Sequence, residues 1–132
     1  FMPLENNVRE FLNERRFAVL ATVGADGLPQ QTVMWYELQG DTILMNTARG
    51  RLKDKLLQRD ARASICVEDG YRYVTIAGRV ALNDDQAVAQ ADIARLARRY
   101  EGEQADARIA NFQQQVRVTL RLGIERVVMN GF

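Results

Sequence analysis

The chain has 132 residues, the length of one domain with little room for a second. Its 18 basic and 17 acidic residues give a net charge of +1, which excludes the large basic excess of a bulk nucleic-acid binder. Hydrophobic residues make up 47%, enough for a core, but no apolar run approaches the ~20 residues of a membrane-crossing helix.

In chain order, Leu4, Val8, Phe11 and Leu12 recur at helical spacing after Pro3, which predicts an amphipathic helix over about residues 3–15. Phe1, ahead of Met2, reads as an appended residue. No basic-then-apolar signal pattern opens the chain, so export is not expected. Phe17 to Val23 reads as a strand, Gly24 to Gly27 as a turn and Leu28 to Leu38 as one long strand rich in β-favouring residues. A turn at Gln39-Gly40-Asp41 leads to a third strand, Thr42 to Asn46. Leu52 and Leu56 share a face of a short helix expected from near Thr47 to near Arg59.

Ala63 to Glu68 reads as a strand, Asp69-Gly70 as a hairpin turn and Tyr71 to Leu82 as its partner strand. Within that partner, Gly78 marks a bulge or bend. Asn83 to Gln86 resembles a capping box for a helix reaching about Tyr100. Ala105 to Gln115 reads as another helix, and Val116 to Leu122 and Glu125 to Met129 as two closing strands around Gly123. Six or seven strands joined mostly by hairpin turns predict an antiparallel barrel with helices at its ends.

Histidine is absent, which removes Ser-His-Asp and Cys-His catalysis and histidine metal sites. An enzyme of this composition needs a cofactor for the difficult step. The single cysteine, Cys66, allows no intrachain disulfide and suits a reducing cytoplasm. In its apolar run it reads as an inert small hydrophobe.

The richest segment is Asn46 to Lys55, which gathers Arg49, Arg51, Lys53 and Lys55 against Asp54 alone. At about 100° per residue, Arg49 and Lys53 would share one side of a helix and Arg51 and Lys55 another. A helix start with Gly50 and this charge suits a phosphate-bearing ligand. A solvated basic helix face is the plainer account. On a strand, Val33 and Trp35 face one side, and Thr32, Met34 and Tyr36 the other. They could wall a planar ring, or simply be barrel core. Asp84 and Asp85 suit helix capping better than acid–base work, and no Walker loop or GxGxxG fingerprint occurs.

The order helix, Ala18 to Val23, Gly24-Ala25-Asp26-Gly27-Leu28-Pro29, Val33-Met34-Trp35-Tyr36, then Asn46-Thr47-Ala48-Arg49-Gly50-Arg51-Leu52-Lys53, resembles the pyridoxamine-phosphate-oxidase-like split barrels. The continuation through Leu56 and Arg59 to Ile65 fits as well, although the family often has proline where this chain has Ala61. The short length and the Gly50-Arg51-x-Lys53 pattern are most similar to the branch that uses coenzyme F420, a 5-deazaflavin with a phosphate and an oligoglutamate tail.

The resemblance implies a mainly β fold with flanking helices, a six-stranded antiparallel split β-barrel (the FMN-binding split barrel). It also implies a cytoplasmic homodimer with cofactor sites at the subunit interface. Reduced F420 would pass a hydride to a small electron-poor acceptor such as an enone, quinone or tetrapyrrole. Thr47, Gly50, Arg51 and Lys53 would hold the phosphate and neighbouring groups. Arg49 and Lys55 would extend the charge track along the tail. Val33, Met34, Trp35 and Tyr36 would border the ring, and Glu125 to Phe132 would reach the partner's site. The alternatives are an FMN-dependent oxidase or reductase on the same fold, or a cofactor-binding dimer without turnover. No residue is singled out as catalytic.

Overall fold

In the computed structural model, which describes residues 3–132, the apolar stripe of the first helix, α1 (Asn6–Asn13), buries Val8, Phe11 and Leu12. The reading of Phe1 lies outside the described residues. Strands β1 (Ala18–Val23) and β2 (Pro29–Met34) form an antiparallel hairpin pinned by the Gly24 N–H donating to the Leu28 carbonyl at 2.8 Å. β3 (Glu37–Gln39) and β4 (Thr42–Ala48) form a second hairpin, followed by α2 (Leu52–Arg59). β5 (Arg62–Asp69) and β6 (Arg72–Asn83) pair across the expected turn at Gly70. Helices α3 (Gln86–Glu101) and α4 (Ala105–Phe112) then lead into β7 (Arg117–Asn130).

All strand pairs are antiparallel, in one sheet of order β2-β1-β5-β6-β7-β4-β3. The sheet curls around a single apolar core that takes Leu20, Met34, Ile43, Met45, Ile65, Ile76, Leu120 and Leu122 from strands along its whole width. Its two edge strands, β2 and β3, are consecutive in sequence but do not pair. This is the split barrel with flanking helices, built from seven strands rather than six and left open between β2 and β3.

The seventh strand arises because the run from Leu28 to Leu38 breaks at Trp35-Tyr36. There the Tyr100 hydroxyl takes the place of a strand partner. It accepts from the Tyr36 N–H at 3.0 Å and lies 3.1 Å from the Tyr36 carbonyl. The two closing strands expected around Gly123 are one continuous strand. Its irregularity is absorbed by a register shift at Ala77/Gly78, where a Cβ on Gly78 would overlap the Gly123 carbonyl. Of the bulge or bend expected at Gly78, the structure has the bulge.

Asp85 caps α3, its carboxylate accepting from the Ala87 and Val88 N–H groups at 2.9 and 3.4 Å. Helices α3 and α4 cover the outer face of β4, packing Ile93, Leu96 and Phe112 around Leu44 and Trp35. Across β2-β1-β5-β6-β7 the outer face is left open. There Val33, Val19, Cys66, Thr75 and Val128 stand in one cross-strand row, with Val33 66% and Val128 52% exposed.

Candidate anion-binding site

Strand β4 runs two residues further than its apolar pattern predicts, because Thr47 and Ala48 pair with Val118 and Arg117 of β7. The chain then turns through Arg49 and Gly50, whose φ of 92° favours glycine, and α2 begins only at Leu52. Arg49 therefore lies before the helix rather than stacked on Lys53.

Asp54 organises this turn. Its fully buried carboxylate accepts from the Gly50 N–H at 2.8 Å, from Arg49 Nη1 at 3.0 Å and from Gln58 Nε2 at 3.1 Å. The second guanidinium nitrogen of Arg49 bonds Asp84 at 2.8 Å, tying the turn to the start of α3. Two carboxylates thus neutralise Arg49 and hold it against the turn.

Lys53 is the opposite case. It lies on the inner side of α2, only 7% exposed, and makes no ion pair or side-chain hydrogen bond among the described residues. Burial, together with the positive charges of Arg51 and Arg117, holds its pKa below the usual lysine value. A buried ammonium without a counter-ion is costly. Arg51, the residue before α2, is exposed and also unpaired among the described residues. Lys55 is exposed on the outer side of the helix, and Thr47 is buried within β4.

The sequence did not single out Arg117. It is 6% exposed beside the same turn, and burial and then Arg51 lower its pKa to about 10. The local pattern marks it only as a charged residue heading an apolar strand. Its place beside Ala48 depends on the β4–β7 pairing between distant segments.

The structure thus brings Gly50, Arg51, Lys53 and Arg117 together, and Trp35 meets Phe112, the ring over which the Arg117 guanidinium lies at 4.5 Å. Val33 is exposed on the open outer face, while Met34 and Tyr36 are core, the Tyr36 hydroxyl donating to the Leu12 carbonyl at 2.8 Å. Trp35 stacks on Tyr100 with ring centroids 5.4 Å apart and meets Phe112 edge-on at 6.4 Å. It is packed between sheet and helices. A separate groove of about 470 Å³ opens on the outer side of the sheet, floored by Ala21, Ser64, Ala77 and Gly78 and flanked by Arg79 and Arg126.

Residues 4–128 match the family model of pyridoxamine 5'-phosphate oxidase. The chain belongs to this family. A relative from Mycobacterium tuberculosis (strain CDC 1551 / Oshkosh), an F420H(2)-dependent biliverdin reductase, is 30% identical over 128 residues, covering 95% of this chain and 87% of the relative. A conserved hypothetical protein of Mycobacterium tuberculosis superposes with a TM-score of 0.81 at 27% identity, over 97% of this chain and 84% of the other. An F420 reductase superposes with a TM-score of 0.79 at 24% identity, over 95% of this chain and 98% of the other, a likeness of fold. The pyridoxamine 5'-phosphate oxidase family thus accounts for the open barrel and its helices across nearly the whole chain.

Proposed function

We propose that this chain is an F420-dependent oxidoreductase that transfers a hydride from reduced deazaflavin to a small electron-poor acceptor. The observation that carries the reading is Lys53, a buried ammonium beside Arg51 at the start of α2 with no carboxylate among the described residues to balance it. A cofactor phosphate supplies the missing negative charge, and the free N–H groups of the first turn add donors. Gly50, Arg51 and Lys53 hold that phosphate. Arg49 acts one step back through Asp54, and Lys55 is left to meet the anionic tail from the surface. When bound, the deazaflavin supplies the hydride. The F420H(2)-dependent relative supports the choice of F420, and its biliverdin substrate favours the tetrapyrrole class over enones and quinones.

The dimer rests on the open outer face. Its row of small and β-branched residues is suited to close packing against a second copy, which would also close the groove beside Gly78. The glutamate-to-phenylalanine tail, Glu125 to Phe132, would then lie near the partner's site. We read the chain as one domain that acts in the cytoplasm. No helix among the described residues is long and apolar enough to cross a membrane.

FMN is the second reading, because its phosphate meets the same cations. Equilibrium dialysis with F420 and with FMN separates the two. Saturable F420 binding that is lost in Lys53→Ala, with weak FMN binding, is expected. Retention of neither cofactor by the folded wild type would overturn the reading. Turnover with a panel of acceptors then separates an enzyme from a cofactor carrier.

A further inference from the structure

Arg117 is held more firmly than its position at a strand end requires. Gln86, the first residue of α3, clamps its backbone, with Nε2 donating to the Arg117 carbonyl at 2.8 Å and Oε1 accepting from its N–H at 3.0 Å. The Arg117 Nε donates to Asn46 Oδ1 at 3.0 Å and Nη1 to Gln115 Oε1 at 2.6 Å. Its guanidinium lies 4.5 Å over the Phe112 ring. Asn46 is itself fixed, donating to the Ala89 carbonyl at 3.0 Å.

Every one of these partners is neutral. No carboxylate pairs with Arg117, and Nη2 makes no hydrogen bond among the described residues. Arg49, on the adjoining turn and more exposed, has two carboxylates. With a pKa of about 10 Arg117 keeps its charge at neutral pH. The chain therefore holds two buried cations, Lys53 and Arg117, next to exposed Arg51, and no carboxylate among the described residues neutralises either. A single negative charge would still leave a surplus buried cation.

We infer that Arg117 is a ligand-binding residue of this anion site, and that Arg51, Lys53 and Arg117 together select a ligand group carrying two negative charges. The inference rests on the anion site proposed above. The chemistry recognised is either a phosphomonoester dianion or a phosphodiester with a carboxylate beside it.

The test uses inorganic phosphate, mostly dianionic at about pH 8, against dimethyl phosphate, a monoanion, each titrated by calorimetry into the full chain. The wild type is expected to prefer inorganic phosphate by about tenfold or more, and Arg117→Gln to bind it about tenfold more weakly with that preference lost. Gln115→Glu separates a binding role from a structural one. Exposed Gln115 already accepts from Arg117, so a carboxylate there strengthens the internal bond while cancelling the charge offered to a ligand. It should retain or raise the melting temperature yet weaken phosphate binding several-fold, and it carries the test if Arg117→Gln does not fold. Wild-type phosphate affinity in Arg117→Gln or Gln115→Glu, with loss in Lys53→Gln, overturns the role of Arg117 and leaves the anion site standing. No phosphate binding by the wild type overturns both.

Discussion

Replacing Lys53 by methionine should stabilise the ligand-free protein. Methionine keeps most of the apolar stem, so packing under α2 changes little. What disappears is an ammonium that is 7% exposed, lacks a counter-ion among the described residues and faces Arg51 and Arg117. Removing an uncompensated buried charge of this kind is worth about 1–2 kcal/mol, less than the full burial penalty because relaxation and water reduce it. For 132 residues the entropy of unfolding converts each kcal/mol into about 3–4 °C, so the melting temperature should rise by about 3–8 °C.

The gain has a pH signature. A lysine whose pKa is lowered in the folded state destabilises that state wherever it is charged. This cost is full below the lowered folded pKa and vanishes as pH rises past the unfolded value of 10.5. The advantage of Lys53→Met should therefore be flat through neutral pH and shrink as pH approaches 10.5. Thermal melts by circular dichroism, in phosphate-free buffer at fixed protein concentration, measure it. Phosphate reverses the order, since at about 100 times its Kd it adds about 2.7 kcal/mol to the wild type and nothing to the variant. A melting temperature below wild type in phosphate-free buffer, with an unchanged far-ultraviolet spectrum, refutes the reasoning.

Asp54→Ala leaves the Gly50 N–H and Arg49 without their buried acceptor and should cost about 3–5 kcal/mol by urea denaturation, with phosphate affinity falling as the turn loosens. Tyr36→Phe removes the hydroxyl that donates to the Leu12 carbonyl at the end of α1 and should cost about 1–2 kcal/mol in the same assay. Gly78→Ala drives a methyl into the Gly123 carbonyl at the bulge, and soluble expression should be lost or the melting temperature fall by at least ~10 °C. Val19→Asp, at the centre of the open sheet face, should convert the proposed dimer into a monomer in sedimentation velocity without changing the circular dichroism spectrum.

What the sequence made legible was local. The stripe of α1, the turns at Gly27, Gly40 and Gly70, and the start of α3 are decided within a few residues, and the structure keeps them, with a cap at Asp85 in place of a capping box over Asn83 to Gln86. The alternation Val33 out, Met34 and Tyr36 in also holds. The departures are set from a distance. Trp35-Tyr36 breaks the strand because Tyr100, 64 residues on, supplies the hydroxyl that replaces a ladder partner. β7 runs unbroken through Gly123 because Gly78 on β6 yields to it.

The candidate site shows the same division more sharply, because counting charges in Asn46 to Lys55 could not say which of them a ligand would meet. The difference between the paired Arg49 and the unpaired Lys53 lies in their surroundings, not in residue type. Arg49 is consumed by Asp54 and by Asp84, the latter 35 residues away. Lys53 is left unpaired by the same helix turn that buries it, and Arg117 reaches this corner through the pairing of β7 with β4 and a bond to Asn46, 71 residues away in sequence. Asp54, the one acidic residue of the basic segment, looks like a dilution of its charge. By taking Arg49 and the Gly50 N–H it instead fixes the turn that leads into α2 and leaves Lys53 and Arg117 as the buried charges still to be balanced. A ligand that balances them offsets the cost of burying these charges, so affinity and ligand-free stability should move in opposite directions when Lys53, which has no bonding partner among the described residues to lose, is replaced.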